Sequence, residues 1–373
     1  MKTNDLLYSN IDHVSDQLFF SNEITSEKLY RDYWKICAAI GMLGIPISCE
    51  YGGLGYDAVN SAHAMMHFGK RTKNSGLIFA IGAHQFACAV PIFLHANDLV
   101  KKELLPRLCD GSLIGANAMT EGKSGSDINA IESIAVQEGD HYLISGEKFY
   151  ITNAPFADVF ILFARTNPEA GMFGISAFVV KKDTPGFEMV DEFAPKGMQP
   201  IGISKIKLTD CKVHSAYLLG NEGDGLSIFH DAMYWERTCL FSGFLGLIES
   251  GLDLLIDFSK NRKHKNKSIS QNQAVSHRLA AIKLQLASSQ LLMQKACELQ
   301  DDAEKGRLYS VLAKLSVSET YLNFAINASQ IYSGIGADNE HYSAHYLNDA
   351  ILSTLFSGTS DMMKNIIAHE LLK

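Results

Sequence analysis

Apolar residues recur three and four apart from Ile11 to Arg107, in segments such as SEKLYRDYWKICAAIGMLG and DAVNSAHAMMHFGKRT. That spacing predicts amphipathic helices. The glycine-rich run Gly44-Ile45-Pro46 with Glu50-Tyr51-Gly52-Gly53-Leu54-Gly55 predicts a turn cluster between two of them. From residue 116 to about 222 the period shortens to alternation and short β-branched runs: IESIAVQ, HYLISG, DVFILFART, GISAFVVKK and SKIKLTDCKV. Turn signals fall between them at Glu138-Gly139-Asp140 and Thr184-Pro185-Gly186. From Leu226 the helical period returns in long stripes, the pattern of a helical bundle. The chain therefore reads as α+β in three parts: an N-terminal α domain over 1–115, a middle β-barrel or sandwich over 116–222 and a C-terminal α bundle over 223–373.

Composition narrows this picture. The chain has 373 residues, 47% hydrophobic and 20% charged, enough to bury a sizeable core. A net charge of -8 argues against a nucleic-acid partner. The opening MKTNDLLYSNIDHVSDQ has neither the apolar nor the Arg-rich run of a targeting peptide, so a cytoplasmic location is expected. The apolar stretch from Gly76 to Ala96 is interrupted by His84, Gln85 and Pro91, which favours a core helix over a membrane span. Seven cysteines without a C-x-x-C pair read as reduced core residues rather than disulfides or a metal site.

One stretch carries candidate chemistry. ANAMTEGKSGSD, beginning at Ala116, places Gly122 and Gly125 among the hydroxyls of Thr120, Ser124 and Ser126, and leads through a β pattern to Phe149-Tyr150-Ile151-Thr152-Asn153. Small residues beside hydroxyls let a backbone approach a flat ligand with donors to spare, although the same composition makes an ordinary turn. The loop and the ITN strand resemble those of the acyl-CoA dehydrogenases. The Glu50–Gly55 cluster and the segment KKELLPRLCDG resemble that family too, as does the α, β, α order, so the resemblance covers nearly the whole chain.

The resemblance implies FAD as cofactor. Met119 and Thr120 match positions that offer backbone and hydroxyl groups to the flavin ring. Ser126, after Gly125, and Thr152, after Tyr150, match contacts to the N5 edge and the pyrophosphate side. Arg262 and Gln273 in NRKHKNKSISQNQ stand at the spacing of a family segment that reaches the cofactor of a neighbouring subunit, with Lys265 and Asn266 replacing its Phe and Gly. Gln330 and Gly334 in QIYSGIG resemble a second such loop, in which Ser333 replaces a glycine. Thr359 and Asp361 in SGTSD resemble the stretch that opens the last helix near the cofactor. Because two clusters would serve a partner's FAD, a homodimer or homotetramer is implied.

The family's reaction removes a proton from Cα of an acyl thioester while Cβ gives hydride to the flavin, and its base is usually a glutamate before Gly-Thr. Here that position is Ser357, which cannot take a proton unaided. A branch of the family, including the isovaleryl type, carries the glutamate on another helix before an arginine. Glu236-Arg237 in AMYWERTCLFSGFLG matches, so Glu236 is the candidate base, shielded by Trp235, Leu240 and Phe241. The backbone N–H of Ser357 remains available to a thioester oxygen. Among substrate-side positions, Ser126 and Arg237 are retained, whereas Tyr234 stands where an Asp often holds the pantetheine chain.

In the segment from Lys196 to Ile203, Gln199, Ile201 and Ile203 stand where Arg, Ser and Thr are usual. Loss of polar partners for a nucleotide tail points to an acyl group on a carrier protein's arm in place of CoA, while altered core packing explains the isoleucines equally well. The electron acceptor would be an electron-transfer flavoprotein or oxygen. Two other readings stay open: a flavin-dependent monooxygenase on the same fold, and a flavin-binding protein without dehydrogenase activity.

Overall fold

A computed structural model describes residues 2–18, 27–199, 201–338 and 341–373. The N-terminal helices are α1 (Lys2–Val14), α2 (Glu27–Ala39), α3 (Ala58–Thr72), α4 (Ser75–His84), α5 (Val90–His95) and α6 (Asp98–Cys109). Side-chain caps set their starts: Asp57, Asn74 and Asn97 accept from the backbone N–H three residues on in α3, α4 and α6. A π-helical turn, Gln85–Ala89, joins α4 to α5. The most apolar window of Ser75–His95 is 89% buried in the protein's own core, so the polar interruptions mark a core helix.

The middle domain is one sheet of β1 (Gly115–Ala118), β2 (Ile134–Glu138), β3 (His141–Thr152), β4 (Val159–Arg165), β5 (Ile175–Lys181), β6 (Phe187–Phe193), β7 (Ile203–His214) and β8 (Leu218–Leu219). The strands follow the path β6-β7-β3-β2-β4-β5-β8, with β1 parallel to β4. The long β3–β7 pair slips register between Ile144 and Gly146 and again between Lys148 and Ile151. Such irregularities re-aim side chains, and Lys148 lies between them. Strand β6 escapes the periodicity reading because its acids, Glu188, Asp191 and Glu192, break the alternation and apolar Val190 and Phe193 are themselves 41% and 49% exposed.

The C-terminal bundle contains α7 (Gly225–Trp235), α8 (Phe241–Asn261), α9 (Gln273–Glu298), α10 (Ala303–Tyr332), α11 (Tyr346–Ser353) and α12 (Ser360–Leu371), with a small hairpin, β9 (Lys263–His264) and β10 (Lys267–Ser268), after α8. The helical stripe read through residues 226–263 is broken by a π-helical turn, Glu236–Leu240, between α7 and α8. All seven cysteines are free and six are buried; Cys49 is exposed, a departure from the core reading, because it sits on the short 3-10 turn of the Glu50–Gly55 cluster.

Helices α3 and α8 touch backbone to backbone. A Cβ on Gly69 would lie 1.9 Å from the Gly243 carbonyl oxygen, and one on Gly246 would lie 1.8 Å from that of Met66. Gly69→Ala should therefore destabilise by about 1–3 kcal/mol through overpacking, read as a lower urea midpoint. Gly334→Ala, where a Cβ meets nothing within 4 Å, is the control and should stay near wild type.

Candidate functional site

A fully buried lysine organises the loop expected to face the flavin. Lys148 in β3 has no exposed surface and donates to Glu121 Oε1 at 2.6 Å, to the Phe163 carbonyl at 2.6 Å and to the Met119 carbonyl at 3.3 Å. Burial pulls its ammonium down to about 8, and the Glu121 charge opposes that fall. Burial alone would raise Glu121, but Lys148 and the N–H groups of Glu132 and Ser133 outweigh it and hold the carboxyl below the usual range. The loop is thus clamped at Met119, Glu121 and Ser133, while its tip stays open.

That tip fits a flat ring. A Cβ on Gly125 would meet nothing within 4 Å. Gly125 and Ser126 are exposed, Thr120 is half-buried and Met119 is buried. Among the described residues, the hydroxyls of Thr120, Ser126 and Thr152 make no hydrogen bond, so three donors are free. Tyr150 has a φ of +56° within β3, which turns its ring outward, 63% exposed and edge-on to Phe193 at 5.5 Å. Free donors and an exposed ring around an open backbone suit a flavin.

Two buried polar groups tie this surface to the N-terminal helices. Asn153, which ends the ITN strand, donates to the carbonyls of Ala80 and Gly115 and accepts from the Tyr30 hydroxyl at 2.9 Å. His84 accepts from the Gly115 N–H at 2.9 Å through Nδ1 and donates to the Leu108 carbonyl through Nε2. Burial pushes His84 down to about 4, so it is the neutral imidazole that these two bonds require.

The second half of the site surrounds Glu236. It opens the π-helical turn and is 6% exposed, opposite the other π-helical turn: Trp235 stacks parallel to Phe86 at 6.1 Å, and Leu240 fills the space a side chain on Gly82 would need. The Ser357 hydroxyl donates to Glu236 Oε2 at 3.1 Å. Arg237 Nε donates to the Ser357 carbonyl at 3.0 Å. Ser357 and Gly358 take left-handed backbone, φ +53° and +90°, which turns the chain sharply before α12. Burial pushes the Glu236 carboxyl up to about 7 against the pull of Ser357 and Arg237. Glu236 and Arg237, adjacent in the chain, thus form one hydrogen-bonded cluster with the distant Ser357.

Other expected positions lie further out. Tyr234 lines a cavity with its ring, while its hydroxyl is committed to the Ala296 carbonyl at 2.6 Å. Thr359 caps α12 by accepting from Met362 N–H at 3.1 Å, and Asp361 is exposed in its first turn. Arg262 at the end of α8, Gln273 at the start of α9 and Gln330 and Gly334 at the end of α10 gather at one end of the bundle, where Phe258 meets Tyr332 at 4.8 Å and Arg278 bonds Gln330. In the segment from Lys196, Ile201 is buried and Ile203 pairs with Thr152 and Phe193, so both isoleucines pack. Gln199 bonds the Pro195 carbonyl at 3.0 Å, Met198 N–H donates to the buried Asp349, and Pro200 lies outside the described residues.

Beside the cluster is a cavity of about 260 Å³ whose lining includes His230, Tyr234, Trp235, Arg237, Arg307 and Ser310. Sequence reading missed Arg307 and Lys314, two positions on one face of α10, as well as Lys148, Glu121, Asn153 and the hydroxyl of Ser357. An isolated charge in a helical or alternating pattern carries no mark of burial, so no local signal singles them out.

Comparison with known proteins matches three successive parts of the chain. Family models described as the acyl-CoA dehydrogenase N-terminal, middle and C-terminal domains match residues 16–112, 116–211 and 223–372. A relative named L-prolyl-[peptidyl-carrier protein] dehydrogenase, from Pseudomonas fluorescens, is 41% identical over 339 residues, 91% of this chain and 89% of its own. The solved structure described as PigA with FAD and proline superposes with a TM-score of 0.94 at 33% identity, covering 100% of this chain and 98% of that one. The prolyl acyl carrier protein oxidase AnaB gives 0.94 at 32% identity, covering 100% and 99%.

The buried charges lead to two expected outcomes. Lys148→Met strands the Glu121 carboxylate and should cost about 3–5 kcal/mol, with loss of bound yellow cofactor; adding Glu121→Gln should restore part of the stability in urea unfolding. For Glu236, a folded value of about 7 against the ordinary 4.5 means that the folded state keeps a proton the unfolded chain has released. Wild type therefore loses stability as pH rises through that window, by up to about 3 kcal/mol. Glu236→Gln should abolish that slope.

Proposed function

The chain belongs to the acyl-CoA dehydrogenase family, and on that premise we propose that it oxidises a prolyl-type aminoacyl thioester on the pantetheine arm of a peptidyl carrier protein. It is an FAD-dependent dehydrogenase of acyl thioesters. FAD, which Met119, Thr120, Ser126, Tyr150 and Thr152 would hold, supplies the hydride acceptor.

The observation that carries the reading is the Glu236 carboxylate, buried and hydrogen-bonded by Ser357. A base for a thioester Cα proton must be shielded from water yet ionisable near neutrality, and burial moves Glu236 to about 7. Ser357 orients the carboxylate, and Arg237 holds the Ser357 carbonyl, fixing the small residue that frames the reacting position. The Ser357 N–H is then available to polarise the thioester oxygen. The names of the relatives described above support a prolyl group on a carrier.

The active form is a homodimer or homotetramer. Supporting this, Arg262, Gln273, Gln330 and Gly334 gather at one end of the bundle, and Leu284 and Leu291 on α9 are 68% and 72% exposed. Seven free thiols fit a reducing compartment, the cytoplasm. The electron acceptor is an electron-transfer flavoprotein or oxygen.

Anaerobic titration of the flavoprotein with prolyl- and fatty-acyl thioesters, each on carrier protein and on CoA, tests the reading. Prolyl-carrier thioester should bleach the flavin fastest, with a rate that rises through a pH of about 7. Glu236→Gln should lose at least about 10³-fold while keeping FAD. Ser357→Ala should shift the pH profile upward, because a bond that lowers the carboxyl's pKa is removed. Normal bleaching in Glu236→Gln would sink the assignment of the base, and NADH-dependent oxygen uptake without thioester bleaching would favour a monooxygenase.

A further inference from the structure

The cavity beside Glu236 has a mouth and a floor. Leu94, Asp301 and Arg307 at its edge are exposed, whereas Trp235 and Ser310 are buried. Its inner wall is Arg237, one hydrogen bond from Ser357 and so two from the Glu236 carboxylate. A thioester coming from solvent to Glu236 has this opening beside it.

The charges around the opening are unevenly committed. Asp231 is bound to His95 at 2.9 Å. Asp302 caps α10, accepting from Lys305 N–H at 3.0 Å and pairing with Lys305 Nζ at 3.4 Å. His230 is driven down to about 4, by burial first and then by Arg307 and Arg237, and is neutral. Arg237 spends only Nε, on Ser357. Arg307 makes no side-chain hydrogen bond or ion pair among the described residues. Two guanidinium groups thus remain against one free carboxylate, Asp301. A guanidinium left without a partner at a cavity mouth is a ready fork for an oxyanion.

Helix α10 supplies a ruler. Lys314, buried and without a hydrogen-bond partner, lies over the Phe241 ring at 5.2 Å, and Phe241 meets Phe356, the neighbour of Ser357, at 5.3 Å. Lys314 therefore marks the level of the reacting group. Arg307 lies seven residues nearer the surface on the same helix face, about 10 Å along the axis at 1.5 Å per residue. An extended chain advances about 3.5 Å per three bonds, so the roughly thirteen bonds from thiol to phosphorus in a pantetheine arm span about 15 Å. The two lengths agree in scale.

We propose that Arg307 is the subsite for the phosphate at the outer end of a pantetheine arm, and that it selects phosphorylated arms from bare pantetheine. This rests on the thioester reading above. The same phosphate occurs in a carrier protein's phosphodiester and in CoA, and Arg307 reads the atoms they share.

Binding, which needs no turnover, tests it. The dissociation constants of 4′-phosphopantetheine, pantetheine and CoA are measured by calorimetry on the FAD-loaded wild type, Arg307→Ala and Arg307→Lys. Wild type should bind phosphopantetheine at least about tenfold tighter than pantetheine, the scale of one charge-assisted pair. Arg307→Ala should erase that preference with pantetheine unchanged, and Arg307→Lys should restore part of it. Absence of a preference in wild type, its survival in Arg307→Ala, or equal weakening of both ligands would overturn the assignment. So would a loss confined to CoA, which would place the guanidinium on nucleotide phosphates. With prolyl-carrier protein, kcat/KM for flavin reduction should fall through KM. If no thioester bleaches wild type, the dehydrogenase reading fails while the calorimetric comparison still judges Arg307.

Discussion

The ammonium of Lys148 is the constraint on which the cofactor face depends. A charge with no exposed surface is tolerated only when its hydrogen bonds are made, and its three acceptors come from the loop backbone, the loop carboxylate and strand β4. Satisfying it therefore fixes where Met119 and Glu121 stand relative to the sheet. Glu121 then passes the constraint on, because its oxygens also accept from Glu132 and Ser133 and close the loop's far end. Held at both ends, and tied across its base by the Ser124 hydroxyl donating to the Asp127 carbonyl at 2.7 Å, the tip can leave the Ser126 hydroxyl free without becoming loose. The register slips of β3 on either side of Lys148 turn the lysine inward and the Tyr150 ring outward.

A comparable constraint, of shape rather than charge, acts in the bundle. A π turn inserts one residue and rotates the helix beyond it. Two such turns meet here: Gln85–Ala89 and Glu236–Leu240. Trp235 against Phe86 and Leu240 against Gly82 seal their junction, which buries Glu236 and raises its carboxyl. The widened turn presents the carboxylate to the left-handed corner at Ser357 and Gly358. Burial that would elsewhere be a defect becomes the means of tuning this carboxyl.

Much of this was legible in the sequence, and the reasons it was legible also mark where reading stopped. Period 3.6, then 2, then 3.6 separates the helical, β and helical parts because each period reports one buried face. Strand β6 lacks that contrast and was missed. The loop and Glu236-Arg237 were found through motif resemblance, which records residue types at fixed spacing. Neither periodicity nor motif reports a π turn, since one inserted residue in a long apolar stripe leaves the stripe intact. Lys148, Asn153 and Arg307 look like ordinary polar positions until distant segments meet. Ser357 was read for its backbone donor, and the contribution of its hydroxyl to Glu236 needed the 3.1 Å contact to be seen. Ile201, whose type suggested a lost polar contact, proves to be core.

The position of the Glu236 carboxyl also has an electrostatic logic. Ser357 Oγ and Glu236 Oε2 are 3.1 Å apart, so a glutamate at 357 would bring a second carboxyl into the space Glu236 already reaches. Two carboxylates that close cannot both ionise near neutrality; one pKa is driven up strongly. Arg237 could not neutralise both, because it carries a single charge and its Nε is held by the Ser357 carbonyl. A site with Glu236 on the π turn therefore favours a small neutral donor at 357. Ser357 is in that sense the counterpart of Glu236, a neutral donor at the place where a second carboxyl would repel the first.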